Sequence, residues 1–293
     1  MLLGGTAQTI GSWVGQVPGL SREREVIVVE LRGQGLKNPA LPINDVRLSV
    51  QVEDLRSLFR EAEIGSSANR PVDLIGFSFG GRVALKYAGS VPEDVNAVSA
   101  TSVSNKRGVG KVILQSWASL LGEGATRGSG RDGGNHNHDD ADDDARRLSA
   151  FAWSSILNTH SPEFIEKNEK RIEGWVRMVA GANSRAGLHA ILTQTHGGDV
   201  PHTAAGSAAV SRAGSSSSDD PDEPLKLARA CGAAGIRGQL ITGGKDLICD
   251  AASAPRLAEA AGFELHCFAD CAHAVPLESP LEWRREVLRF LDS

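Results

Sequence analysis

Short apolar runs alternate with helical patterns along most of this 293-residue chain, and this alternation limits the folds open to it. Runs of the kind that form buried parallel strands occur at 26–29, 72–77, 96–101, 238–242 and 264–268. Between strands, apolar residues recur at three- and four-residue steps, as in Leu48, Val52 and Leu55. Strands followed by helices predict the α/β class, with a doubly wound, mainly parallel sheet.

The alternation stops in the middle of the chain, where residues 105–224 carry helical patterns and no strand pattern. A helical segment inserted between two strands of such a sheet is expected to cover the carboxyl ends of the strands as a lid. We therefore divide the chain into two core segments, 1–104 and 225–293, with the lid at 105–224.

Two polar segments interrupt the lid, at about 122–144 and 197–224. They contain almost no large apolar side chains, so burial would not offset the entropy lost on ordering them. We expect both to be disordered, which leaves roughly 240 residues to fold, close to the upper size of a single core. The first segment holds His136 and His138 beside several aspartates, but a disordered tract gives a cation no fixed coordination geometry.

Charge and composition argue against several classes of function. A net charge of −5 disfavours nucleic-acid binding, which requires clustered positive charge. No apolar run approaches the eighteen or so residues that cross a bilayer, and no signal peptide is visible. We expect a soluble protein of the cytoplasm or an organelle, with its four cysteines reduced. Cys267 and Cys271 lack a second ligand pair for zinc. Cys231 and Cys249 belong to no sequence pattern that indicates a function.

The sharpest local signal is the pentapeptide Gly76-Phe77-Ser78-Phe79-Gly80, between a predicted strand and a predicted helix. A serine at a tight strand-to-helix turn projects its hydroxyl above the sheet, and the flanking glycines remove side chains that would collide there. Ser78 is therefore a candidate nucleophile. The alternative is an ordinary serine in a glycine-rich turn.

A serine nucleophile needs a base, and the base needs an acid that orients it. Asp246 follows the predicted strand 238–242, and His273 follows the next strand, 27 residues after Asp246. Both positions are expected at the sheet edge that carries Ser78. Asp250 is the alternative acid, although it lies farther from the end of the strand.

Together these motifs resemble the α/β-hydrolase fold superfamily. Residues 2–6 (LLGGT) resemble its oxyanion loop, residues 30–35 (ELRGQG) resemble the turn after the next strand, and residues 271–291 resemble its histidine loop and last helix. The resemblance implies that Ser78 is the nucleophile, His273 the general base and acid, and Asp246 the orienting carboxylate. It implies no metal or organic cofactor.

The chain departs from this family pattern in two places. Gly4-Gly5 stands where the family often has His-Gly, but the backbone donors do not depend on that side chain. We expect the oxyanion hole to consist of the N–H groups of Phe79 and Thr6. Family members usually have one or two strands before this loop, so N-terminal strands are expected to be missing here.

Arg82 lies in SFGGR, which resembles a motif of the menaquinone-pathway lyase, the succinyl-hydroxycyclohexadiene-carboxylate synthase. An arginine there binds a substrate carboxylate, a task that suits a planar guanidinium. The alternative is a surface arginine paired with an acid. Three lid arginines are further candidates by the same resemblance: Arg171, Arg177 and Arg185.

Aromatic residues supply further candidates for substrate contact, namely Phe77, Trp117 and Trp153. An apolar lid face over the serine would suit an acyl chain or ring, although core packing is the alternative. The sequence predicts a serine hydrolase that cleaves a carboxylic ester, thioester or related acyl bond of a small molecule. A lyase using Arg82 and a non-catalytic ligand-binding protein of the same fold are the alternatives.

Overall fold

The protein is described from a computed structural model over residues 1–35, 45–106, 108–122, 136–195 and 222–293. Its centre is one sheet in which every neighbouring pair of strands is parallel, as predicted. The spatial order is β2-β1-β3-β4-β5-β6. The strands are β1 (Leu2–Leu3), β2 (Val28–Val29), β3 (Val72–Phe77), β4 (Val95–Thr101), β5 (Arg237–Gly243) and β6 (Glu264–Phe268).

Helices connect the strands and cover both faces of the sheet. Those of the core are α1 (Val17–Leu20), α2 (Leu48–Glu61), α3 (Phe79–Ser90), α9 (Pro224–Ala233), α10 (Ala254–Ala261), α11 (Val275–Glu278) and α12 (Pro280–Leu291). Those between β4 and α9 are α4 (Gly108–Leu121), α5 (His136–Thr159), α6 (Pro162–Lys167), α7 (Glu169–Ala182) and α8 (Arg185–Thr195).

The two faces of the sheet carry separate apolar clusters. Leu74, Val98 and Leu240 face the cluster that includes Leu55 of α2 and Val83 of α3. The opposite cluster includes Trp283, Val287 and Phe290 of α12, which are almost completely buried. Burial of large apolar side chains on both faces holds the strands in register.

β1 lies between β2 and β3, so the chain leaves β1 toward one side of the sheet and later returns on the other side. Ligand sites of doubly wound sheets lie beyond the carboxyl ends of the strands at such a reversal. Ser78 follows the last residue of β3 and therefore stands at this position.

The lid helices have their own packing, which corrects one expectation. Residues 136–144 were expected to be disordered, but they form the first part of α5. Pairs of opposite charge one turn apart stabilise that part of the helix, between Arg146 and Asp142 and between Arg147 and Asp143. Phe151 then packs against Trp117 of α4. The disorder expected for 123–135 and 197–221 falls outside the described residues.

Candidate active site

Ser78 occupies a sharp turn between β3 and α3. Its backbone has φ 52° and ψ −113°, a conformation that residues other than glycine rarely adopt. The N–H of Ser78 donates to the carbonyl of Thr101 at the end of β4, at 2.8 Å. Strain of this kind persists only where the surroundings hold it, and it is typical of functional sites.

The two glycines of the pentapeptide allow this turn to form. A Cβ on Gly76 would lie 2.5 Å from the carbonyl oxygen of Gly80, and a Cβ on Gly80 would lie 2.2 Å from that of Leu3. Both contacts are with backbone atoms, which cannot rotate away. The close packing of β1, β3 and α3 therefore requires glycine at both positions.

Three side chains meet at the carboxyl edge of the sheet in one chain of hydrogen bonds. The Nε2 atom of His273 lies 2.9 Å from the Oγ of Ser78. The Nδ1 atom of the same ring lies 2.8 Å from Oδ2 of Asp246. Because an ionised carboxylate only accepts, Nδ1 carries the proton and Nε2 presents its lone pair to the serine hydroxyl.

The acid is held by the turn that follows β5. Its second oxygen, Oδ1 of Asp246, accepts the N–H groups of Ile248 at 2.7 Å and Cys249 at 2.9 Å. The carboxylate is completely buried. The alternative acid, Asp250, instead accepts the N–H of Ala252 at the start of a short helical turn.

The environment of His273 makes the ring a stronger base. Burial disfavours the charged imidazolium, but the Asp246 carboxylate at 2.8 Å and, to a smaller extent, Cys249 together outweigh burial and raise the pKa of His273 above its usual range. Phe77 packs beside the imidazole with ring centres 5.4 Å apart. The ring is therefore oriented to take a proton from Ser78 and stabilised after it has done so.

The loop after β1 passes beside the serine. A Cβ on Gly5 would lie 3.2 Å from the Cβ of Ser78, which places the loop next to the hydroxyl. The N–H of Gly5 donates to Oε1 of Gln8 at 2.8 Å, whereas no described residue accepts from the N–H of Thr6. Phe79 is the first residue of α3, so its N–H has no acceptor within the helix. This arrangement can receive a negatively charged oxygen.

A match to the alpha/beta hydrolase family spans residues 2–286. The chain belongs to this family. No curated protein sequence matches the chain.

Solved structures of the same fold match almost the whole of this chain. An enol-lactonase from Burkholderia xenovorans LB400 matches with TM-score 0.70 and 17% identity, over 100% of this chain and 90% of that one. A thermophilic esterase from Thermogutta terrifontis matches with TM-score 0.68 and 17% identity, over 99% and 88%. The esterase RhEst1 from Rhodococcus sp. ECU1013 matches with TM-score 0.64 and 20% identity, over 100% and 89%. At these identities the likeness shows the fold alone.

Arg82 is buried on the first turn of α3, and its guanidinium contacts the chain on either side of residues 196–221. It donates to the carbonyl of Thr195 and, at 3.0 Å, to the carbonyl of Asp222. The binding of a substrate carboxylate by Arg82 stays a prediction. In the structure, Arg82 contacts the backbone carbonyls of Thr195 and Asp222.

The three lid arginines do not form one cluster. Arg171 and Arg177 are exposed, and Arg177 pairs with Glu173 one turn away on the same helix. Arg185 pairs with Asp144 and donates to the carbonyl of Leu121, so it joins three lid helices.

The predicted aromatic contacts lie in different surroundings. Trp117 is buried, and its Nε1–H donates to Oγ of Ser154 at 2.9 Å. It belongs to the apolar cluster that also contains Ile248 and Cys249, beside the acid turn. Trp153 is 39% exposed, because the buried face of α5 carries Ala152 instead. Roles of Phe77, Trp117 and Trp153 in substrate binding remain predictions.

Two residues that support the candidate site, Ser102 and Glu278, have no local sequence pattern that predicts this role. Ser102, at φ 56°, donates through Oγ to the carbonyl of His273 at 2.6 Å, and its own carbonyl accepts from Sγ of Cys249 at 3.2 Å. Glu278 accepts the N–H groups of Ala272 at 3.0 Å and of Ser161 at 3.1 Å. Ser102 thus links the turn of His273 to the turn of Asp246, and Glu278 joins the histidine loop to the lid.

No helix among the described residues is both long and apolar enough to cross a membrane.

Proposed function

We propose that this protein is a serine hydrolase that cleaves a carboxylic ester, thioester or related acyl bond through an acyl-serine intermediate. The observation that carries the proposal is the unbroken path from Oγ of Ser78 through His273 to Asp246, with contacts of 2.9 and 2.8 Å. Family membership and the fold it shares with esterases and a lactonase support it as analogy.

In the acylation step, Oγ of Ser78 attacks the acyl carbon while its proton passes to Nε2 of His273. Asp246 holds Nδ1–H and stabilises the imidazolium that forms. The N–H groups of Phe79 and Thr6 receive the negative charge on the carbonyl oxygen, and each such donor contributes about 10² to 10³ in rate. His273 then returns the proton to the leaving group as the acyl bond breaks.

In the second step a water molecule replaces the leaving group. His273 accepts a proton from this water, which attacks the acyl carbon and forms a new C–O bond. The proton then returns to Oγ of Ser78 as the acid product leaves. The residues named above suffice for this cycle, and we propose that the lid, residues 105–224, selects the acyl group.

The lyase alternative depends on Arg82 as a clamp for a substrate carboxylate. The contacts of Arg82 with the carbonyls of Thr195 and Asp222 favour a role in holding the lid, so we do not prefer this alternative. Arg82→Ala separates the two. Equal losses of turnover with neutral and carboxylated esters indicate lid support, whereas a selective loss with carboxylated substrates indicates a clamp.

A fluorophosphonate probe tests the proposal directly, because it reacts with activated serines. We expect covalent labelling of the wild-type protein and of Ser90→Ala, a matched control at an exposed serine, but not of Ser78→Ala. A panel of p-nitrophenyl esters of graded chain length then measures acyl preference. Folded wild-type protein that remains unlabelled would refute the proposal and favour a non-catalytic ligand-binding protein.

A further inference from the structure

Beside the proposed triad lies a thiol that the mechanism does not use. The carboxylate of Asp246, the imidazole of His273 and Sγ of Cys249 each offer an atom, and these three atoms lie within 4.8 Å of one another. All three residues are buried: Asp246 is 0% exposed, His273 is 4% exposed and Cys249 is 7% exposed.

The three groups form a donor set for thiophilic divalent cations. A thiolate, an imidazole nitrogen and a carboxylate oxygen bind Zn²⁺ at about 2.0–2.3 Å, and three protein ligands with one open position are a common arrangement. Tetrahedral geometry with these bond lengths places the ligand atoms roughly 3.3–3.8 Å apart. The Nδ1–Oδ2 contact of 2.8 Å would have to widen by only about half an ångström.

The surrounding hydrogen bonds fix the positions of all three ligands. The N–H of Cys249 donates to Oδ1 of Asp246, the carboxylate oxygen that does not contact His273. The thiol of Cys249 also donates to the carbonyl of Ser102, and this hydrogen bond is given up when the thiol loses its proton to bind a cation. The hydroxyl of Ser102 in turn holds the carbonyl of His273. A site whose ligands are already held in place by hydrogen bonds to neighbouring residues loses little conformational entropy when a cation binds.

We propose that Asp246, Cys249 and His273 form a binding site for a thiophilic divalent cation, such as Zn²⁺ or Cd²⁺, that switches the triad off. The binding rests on the three ligands alone, whereas the inhibition rests on the proposed function.

The proton balance explains the inhibition. The cation bonds to Nδ1 of His273, to Sγ of Cys249 and to a carboxylate oxygen of Asp246. The thiol proton is released to solvent, and the Nδ1 proton of the neutral ring is replaced by one on Nε2. With Nε2 protonated, the ring has no lone pair left to accept the proton of Ser78. No group is oxidised or reduced.

Titration with Cd²⁺ tests binding without relying on turnover, because cadmium thiolates absorb in the ultraviolet. We expect one equivalent of Cd²⁺ to give this charge-transfer band in the wild-type protein and equally in Ser78→Ala. Cys249→Ser should lose the band, while Cys267→Ser, which alters an exposed thiol, should keep it. A band that persists in Cys249→Ser would overturn the site.

The inhibition is measured with Zn²⁺ on an ester that the enzyme turns over, after incubation long enough for the cation to reach a buried site. Inhibition should reverse with a chelator. With each protein's activity expressed relative to its own metal-free rate, the Zn²⁺ concentration for half-inhibition should be about tenfold or more higher for Cys249→Ser than for wild type. Equal sensitivity of wild type and Cys249→Ser would refute the switch. Failure of fluorophosphonate labelling would refute the hydrolase proposal and leave the cadmium result standing.

Discussion

His160, the residue that directly follows α5 in the lid, should make the stability of the protein sensitive to acid. The side chain is almost fully buried, and its Nδ1 lies 3.0 Å from the carbonyl of Ile156. The ring stacks on Phe164, with centres 5.0 Å apart, and lies 6.4 Å from the ring of Trp175. Burial lowers the pKa of His160 from 6.5 to about 4.

The direction in which stability changes with pH follows from the numbers of protons bound by the folded and the unfolded chain. Between pH 6.5 and pH 4 the unfolded chain protonates this histidine while the folded protein does not, so stability falls as the pH falls through that window. The whole penalty is on the order of 3 kcal/mol. Roughly 2 kcal/mol of it is expressed at pH 5.0, against about 0.1 kcal/mol or less at pH 7.5.

The measurement compares free energies of unfolding in urea at pH 7.5 and pH 5.0. His160→Phe keeps an aromatic ring and removes the titration, so its loss of stability between the two pH values should be smaller than that of the wild type by about 2 kcal/mol. Trp117→Phe is the control, because Trp117 packs against Phe151 and not against His160, so its cost in stability should be equal at both pH values. Equal pH-dependent losses in wild type and His160→Phe would refute the reasoning.

Three further predictions test the candidate site and the contacts that support it. Asp246→Asn should lower kcat by about 10⁴ by stabilising the wrong tautomer, and pH–rate profiles should show a lower apparent pKa for His273; an unchanged profile would argue against the pairing. Gly80→Ala should destabilise the protein by about 1–3 kcal/mol or more, whereas Gly174→Ala, with open space around the added methyl, should stabilise it by about 0.5–1 kcal/mol in thermal unfolding. Glu278→Ala should cost about 1–3 kcal/mol and lower kcat more than it changes KM; a kcat equal to that of wild type would exclude a positioning role.

Local patterns in the sequence were enough to predict the parallel sheet and the place of Ser78 in it. The glycine spacing around Ser78 reflects contacts within the turn and with the adjacent strand, so it can be read from a few neighbouring residues. Periodicity predicts one helix over 162–180, but the structure has two helices there, α6 and α7, which divide at Asn168. The backbone N–H and the side-chain amide of Asn168 both donate to the carbonyl of Phe164. Such side-chain competition for helix carbonyls is not visible in hydrophobic periodicity.

The supports of the site were not predictable, because their contacts join distant parts of the chain. Cys249 meets the carbonyl of Ser102 across 147 residues, and Glu278 meets Ser161 across 117. Nothing in the immediate neighbourhood of these residues distinguishes them from ordinary loop positions. Trp153 illustrates the opposite case, since a large aromatic residue in a helix suggests burial, but the packed face of α5 lies one residue away.

The contacts of Arg82 have a consequence for how the chain tolerates change in length. Thr195 and Asp222 border residues 196–221, and one guanidinium bonds to both of their carbonyls, while Lys86 pairs with the Asp222 carboxylate at 2.9 Å. The two ends of that segment are thus anchored to α3, next to each other. Doubling the length of a loop with fixed ends costs only about 0.6 kcal/mol. Because both ends are held at α3, we expect a peptide tag or a reporter domain inserted between Thr195 and Asp222 to leave the sheet that carries Ser78 intact.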